Sequence, residues 1–392
     1  MCINIAKFQP QGKVLQYGLW VFLSIALSAC GGGGSSNDDN TTTINPFLSK
    51  DLTPIPVQAT NQRGTIISVQ YLQTQTQSDI NASIAAKPDT LPPLNVLYDV
   101  KSYQLNYFTL DGHNQLTEAS ALIVIPQKPT ITPSPVLSFQ HGTKFYNREA
   151  PTQELGAEAP EVITAAMGYI VSSADYVGYG ASHSIEHPYL LAKPSAYAVI
   201  DMLTALKTWL DFHEYPHNQQ LFLTGYSEGG YVTMATHKIM QEENIAPFNI
   251  VASVVGAGPY NLSVSLRELF RGIGSLPSLL ADPVINLLLT SLSPDDSDIA
   301  FQTTFLERYF DNDRQDNVHE WRANTPIRLY HGKDDQTVPY KSATTTLEAM
   351  QTQNSADIEL IDCPADPSNH RNCVVPYWLF MINYFANMAE GL

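Results

Sequence analysis

Positive charge is scarce in this chain. Lysine and arginine together number 21 against 38 aspartates and glutamates, a net charge of −17 over 392 residues. A surface of that sign repels DNA, RNA and other polyanions, which excludes nucleic acid as a partner. Charge of either sign is low, at 15% of residues, while 44% are hydrophobic, which excludes a disordered chain. Cysteine is nearly absent: there are four, Cys2, Cys30, Cys363 and Cys373, and the spacing of the last two with Asp366 and His370 matches no common zinc pattern. No internal repeat stands out at solenoid or propeller periods. The apolar stretch from Val14 to Ala29 is 16 residues long. That is short of the ~20 residues a membrane-spanning helix needs.

What that stretch does fit is the hydrophobic part of a secretory signal, with Lys7 and Lys13 ahead of it. It ends in Leu27-Ser28-Ala29-Cys30, which resembles the lipobox of bacterial lipoproteins. The resemblance implies cleavage before Cys30, a diacylglycerol on its sulfur and, because Gly31 rather than aspartate follows, an outer-membrane destination facing either side. Residues 1–29 are then a signal, and the Gly-, Ser-, Asn- and Thr-rich run after Cys30 opens a flexible tether over 30–60. Removing the signal leaves 363 residues and, with two lysines gone, a net charge of −19. Outside the cytoplasm, Cys363 and Cys373 are expected to pair as a disulfide.

From Tyr98 to Leu110 and from Thr117 to Ile125 the chain alternates as strands about a turn at Asp111-Gly112, an antiparallel hairpin. After Pro135 short apolar runs alternate with helical patterns. The expected strands are 136–140, 169–173, 220–224, 250–255, 327–330 and 358–361. The clearest helix runs from Pro194 to about Phe212, where Val199, Met202, Leu203, Leu206 and Leu210 form one apolar stripe. This predicts an α/β fold, a mostly parallel sheet with helices on both faces. About seventy residues of helical character separate Gly256 from Ile327, far more than a crossover needs. They read as an inserted helical cap over 261–325 within a domain of 61–392; ordinary core helix is the alternative. Residues 45–95 carry no clear pattern.

Gly225-Tyr226-Ser227-Glu228-Gly229 fits G-x-S-x-G between the apolar run Leu221-Phe222-Leu223 and a helix-like stretch from Tyr231. A strand, sharp turn and helix in that order push a serine side chain out at the edge of a sheet. Downstream lie His331-Gly-Lys-Asp-Asp335-Gln-Thr-Val-Pro339, and then His370 in a loop between the last strand and a final helix near Pro376. A serine hydroxyl needs an imidazole base steadied by a carboxylate. Serine, acid, histidine is the chain order of the α/β-hydrolases.

Over residues 96–390 the chain resembles the secreted lipase and esterase branch of the α/β-hydrolases. The resemblance implies a serine ester hydrolase needing no cofactor or metal, acting on a small-molecule or lipid ester through an acyl-enzyme. Ser227 is then the nucleophile, His370 the base and Asp335 the acid, with Asp334 as its rival. His141-Gly142 resembles the H-G turn of many lipases, which points to the amides of Thr143 and Glu228 as the oxyanion hole. Asp175-Tyr-Val-Gly-Tyr-Gly180 and His187-Pro-Tyr-Leu190 resemble a loop of that branch that shapes the rim. Glu228 departs from the pattern, since a smaller or apolar residue is expected after the serine. A Cys363–Cys373 bridge would fix the loop that carries His370. Two other readings stay open: a serine peptidase of the prolyl-oligopeptidase type, and a catalytically silent binding protein on the same scaffold.

Two motifs are decoys. His213-Glu-Tyr-Pro-His217 matches H-E-x-x-H, but Pro216 breaks the helix a zinc site needs. Asp311 to Asp316 hints at a calcium loop without its central glycine or distal glutamate, and reads as solvated carboxylates at a helix end.

Overall fold

The computed structural model describes residues 45–87, 91–270 and 296–392. The signal, Cys30, the start of the tether and most of the apolar part of the expected cap lie outside the described residues. Strands β1 (Ile66–Gln75), β2 (Val100–Leu110) and β3 (Leu116–Pro126) are followed by β4 (Ser134–Gln140), β5 (Ile170–Ala174), β6 (His217–Tyr226), β7 (Asn249–Gly256), β8 (Ile327–His331) and β9 (Ile358–Asp362). They form one sheet in the order β1-β2-β3-β5-β4-β6-β7-β8-β9. The first three strands and β5 pair antiparallel; from β5 to β9 every pairing is parallel.

The parallel strands are short apolar runs because both faces are covered. Along β6, Leu221 and Leu223 point into one core and Phe222 into the other. The first core contains the stripe of helix α3 (Ala192–Phe212), including Val199, Met202 and Leu206, and the inner side of α4 (Glu228–Glu242). The second holds α1 (Gln77–Ala85), α2 (Pro160–Ala166) and the final helix, Val374–Ala386, through residues such as Ile80, Val162, Trp378 and Phe385. Chain direction puts the C-terminal ends of β4, β6, β7 and β8 along one edge of the sheet, where loops can gather functional groups.

Residues 45–54, expected within the tether of 30–60, are fastened to the domain instead. From Asn45 the chain lies against the domain: Leu52 is buried, and its carbonyl accepts a hydrogen bond from the Trp209 indole at 2.7 Å. His213 Nε2 bonds the Pro54 carbonyl at 2.9 Å, and Asn45 donates to the Lys128 carbonyl at 2.8 Å. Most of these bonds use the segment's backbone carbonyls, which leave no trace in its side chains. The edge strand β1 was also not foreseen, and the insertion between β7 and β8 is described at its two ends by α5 (Leu262–Phe270) and α6 (Thr304–Phe310).

Candidate active site

Ser227 sits between the last residue of β6 and the first of α4, with φ 59° and ψ −123°. A non-glycine residue holds such a conformation only where its surroundings impose it. Here its amide donates to the Gly256 carbonyl of β7 at 2.8 Å. The flanking glycines are required by close approach: a Cβ on Gly225 would stand 2.3 Å from the Gly229 carbonyl oxygen, and one on Gly229 2.0 Å from that of Gln140. The turn can therefore be this tight only with no side chain at either position.

His370 Nε2 lies 2.9 Å from Ser227 Oγ, and its Nδ1 lies 2.6 Å from Asp335 Oδ2. The second carboxylate oxygen, Oδ1, accepts from the Thr337 and Val338 amides at 2.8 and 2.9 Å. Burial alone would push the Asp335 carboxyl up; the hydrogen bonds from His331, His370 and the Val338 amide outweigh it and hold the carboxyl well below the usual range. Asp335 thus stands as an anion with its lone pairs committed. The arrangement can take a proton from the serine and balance the imidazolium that results.

Asp334 is no bystander, although it does not touch His370. Its carboxylate accepts from the Ser368 amide and hydroxyl, both at 2.9 Å, two residues ahead of His370. The two adjacent aspartates share the work: Asp335 faces the imidazole and Asp334 holds the loop that carries it. Cys363 and Cys373 are bonded with their Cα atoms 5.9 Å apart, closing that loop between β9 and the final helix. The Tyr226 hydroxyl donates to the His370 carbonyl at 2.7 Å, and the two rings lie 5.2 Å apart. This contact was not read from the sequence, where Tyr226 is the variable second position of the serine motif. Tyr226→Phe removes one hydrogen bond worth about 1 kcal/mol. We expect roughly a fivefold fall in kcat, with KM and melting temperature close to wild type, measured by steady-state ester hydrolysis and thermal unfolding.

The loop after β4 passes beside the nucleophile: a Cβ on Gly142 would lie 3.7 Å from Ser227 Cβ. Thr143 follows directly, its hydroxyl 3.2 Å from that of Tyr189. His141 is held by burial at a pKa of about 4 and stays neutral; its Nε2 meets the Asp175 carbonyl at 3.2 Å, and its own carbonyl accepts from Tyr176. Glu228 opens α4, and the first amides of a helix have no partner within it. Asp175 is fully buried, which lifts its carboxyl to about 6 against the opposing hydrogen bonds from Ser120 and Thr152. It props the rim, as its place in the loop implied.

Comparison with known proteins bears on the fold that carries this site. A crystal structure of the rice cell wall degrading esterase LipA from Xanthomonas oryzae matches 83% of this chain and 98% of its own at a TM-score of 0.66, with 22% identity. Candida antarctica lipase A matches 79% of this chain and 78% of its own at a TM-score of 0.52, with 18% identity. The fold is that of the α/β-hydrolases. Within it, residues 149–273 match the secretory lipase family model, a span that includes the rim loop, α3 and the serine turn. Lipase A of Moesziomyces aphidis is 26% identical over 45% of this chain; the match spans 38% of that relative's length.

The remaining motifs fall elsewhere on the hydrolase fold. His213 and His217 lie after α3 and at the start of β6, and His217 meets Asp211 at 3.1 Å. Asp316 corrects the reading of 311–316 as solvated carboxylates. It is buried, accepts from the Ala192 amide at 2.9 Å and from Arg308 at 2.7 Å, and so pins the start of α3.

Proposed function

We propose that this chain is a serine carboxylic-ester hydrolase. The observation that carries the reading is the run Ser227 Oγ, His370 Nε2, His370 Nδ1, Asp335 Oδ2, with contacts of 2.9 and 2.6 Å. Ser227 Oγ attacks the ester carbonyl carbon as His370 Nε2 takes its proton; the carbonyl π electrons move to oxygen. The amides of Thr143 and Glu228 receive that oxyanion. The tetrahedral species collapses, the C–O bond to the alcohol breaks, and His370 returns the proton to the leaving oxygen. Water then repeats the sequence on the acyl-enzyme and releases the acid. Asp335 stays ionised and orients the imidazole throughout. The secretory lipase match and the esterase and lipase neighbours support an ester rather than another acyl compound as substrate.

Hydrolysis of p-nitrophenyl esters from acetate to palmitate by residues 45–392 tests the reading and sets the acyl length. A maximum at long chains gives a lipase and a maximum at acetate or butyrate a small-ester esterase. Turnover of aminoacyl-proline amides with none of esters overturns it in favour of a peptidase. No labelling of Ser227 by a fluorophosphonate overturns it in favour of a silent scaffold.

We further propose that Cys30 carries a lipid that ties the domain to the cell envelope at the outer membrane, on the strength of the Leu27-Ser-Ala-Cys30 run and the Gly-rich segment after it. In the full chain, Cys30→Ser is expected to move activity from the membrane fraction to the soluble one and to abolish incorporation of radiolabelled palmitate.

A further inference from the structure

Glu228 follows the nucleophile, yet its side chain turns inward. The residue is 1% exposed, and its Oε1 lies 2.6 Å from Nε2 of His187, also 1% exposed. Nδ1 of the same ring meets the Val177 carbonyl at 2.8 Å. A carbonyl only accepts, so Nδ1 is the donor there, and Nε2 is left to join the ring to the Glu228 carboxyl. A carboxyl group buried this deeply is costly unless paired. Nothing in the acyl-transfer steps uses either side chain.

The surroundings are built around this contact. Gly178, at φ 94°, lets the backbone of His187 come so close that a Cβ there would stand 2.6 Å from His187 Cα. The imidazole is boxed by Tyr176, Tyr179, Tyr189 and Phe301, with ring centroids 5.0–6.0 Å away. Its backbone is bracketed as well: the His187 amide donates to the Ala300 carbonyl at 2.7 Å, and its carbonyl accepts from the Gln302 amide at 2.8 Å. Tyr189 in turn reaches the Thr143 hydroxyl. One contact therefore ties residue 228, the rim loop and the segment that returns from the insertion.

We propose that the His187–Glu228 hydrogen bond is a positioning element for the oxyanion hole, locking the first turn of α4 against the rim and the 300–302 segment so that the residue 228 amide is aimed before substrate arrives. This rests on the ester-hydrolase reading for its catalytic consequence, not for its structural one. Glu228→Met keeps the length of the side chain and removes the bond. We expect kcat on p-nitrophenyl butyrate to fall about 10–100-fold with KM within about twofold, the signature of a misaimed oxyanion donor. His187→Phe keeps a ring in the aromatic box and should give the same fall, and the double variant should be no worse than either. Glu228→Gln, whose amide can still bond the imidazole, should recover to within about fivefold of wild type. Amide exchange by mass spectrometry in 176–190 and 298–303 should quicken in Glu228→Met and His187→Phe but not in Glu228→Gln. Wild-type kcat in both disrupting variants, or exchange that leaves those segments unchanged, overturns the proposal. A wild-type protein without Ser227-dependent turnover overturns the ester-hydrolase reading alone, because the exchange comparison still decides whether the contact locks the rim.

Discussion

Ser227→Ala and His370→Ala are each expected to lower kcat/KM for a p-nitrophenyl ester by about 10⁵–10⁶-fold, and the double variant to be no slower than either single one. The two side chains act as one unit. Without the imidazole 2.9 Å from its Oγ, Ser227 keeps its proton and is a poor nucleophile; without the hydroxyl, the imidazole has nothing to activate. Residual hydrolysis reflects ester binding and the oxyanion amides. Both positions tolerate alanine structurally, since Ser227 is held by its backbone bond to Gly256 and His370 by its carbonyl bond to Tyr226. The measurement is steady-state kinetics beside a thermal melt. A single variant that keeps even a tenth of wild-type rate at unchanged fold removes that residue from the mechanism.

The second large effect separates two neighbouring carboxylates. Asp335→Asn is expected to cost about 10⁴ in kcat. An amide there can present its NH₂ to His370 Nδ1, which forces the ring proton onto Nε2 and leaves nothing to accept hydrogen from Ser227. Both Ser368 bonds end on one oxygen of Asp334, so Asp334→Asn can keep them as neutral bonds without their charge assistance, and it leaves the imidazole's partner in place. A loss of about three- to tenfold is expected for it. Reversal of the two magnitudes would give the acid role to Asp334.

The parallel half of the sheet and the residue types serine, histidine and carboxylate were legible because physics leaves little choice there, while their order along the chain came from the family resemblance. Strands buried on both faces become short apolar runs, and acyl transfer by serine needs an imidazole and a carboxylate. The rest was hidden for identifiable reasons. Strand β1, Ile66–Gln75, pairs with one neighbour at the sheet edge and exposes much of its length, so its glutamines and threonines gave no alternation. The stretch from Asn45 to Pro54 is fastened largely by carbonyl oxygens, which every residue type has. Glu228 was visible as an odd residue after the nucleophile, but its partner lies 41 positions upstream. Its burial became intelligible only once His187 was seen against it. Asp316 was misread because a cluster of acids looks solvated until one of them is found facing an arginine.

The place where the chain joins the domain has a bearing on how the site meets its surroundings. Asn45 is tied to Lys128, in the loop before β4 begins, while Ser227 stands beyond the end where β4 finishes. Seven residues of strand, with a rise of about 3.3 Å per residue, run between those two ends. The segment from Asn45 grips the domain from behind and leaves the mouth to the loops that follow β4, β6 and β8.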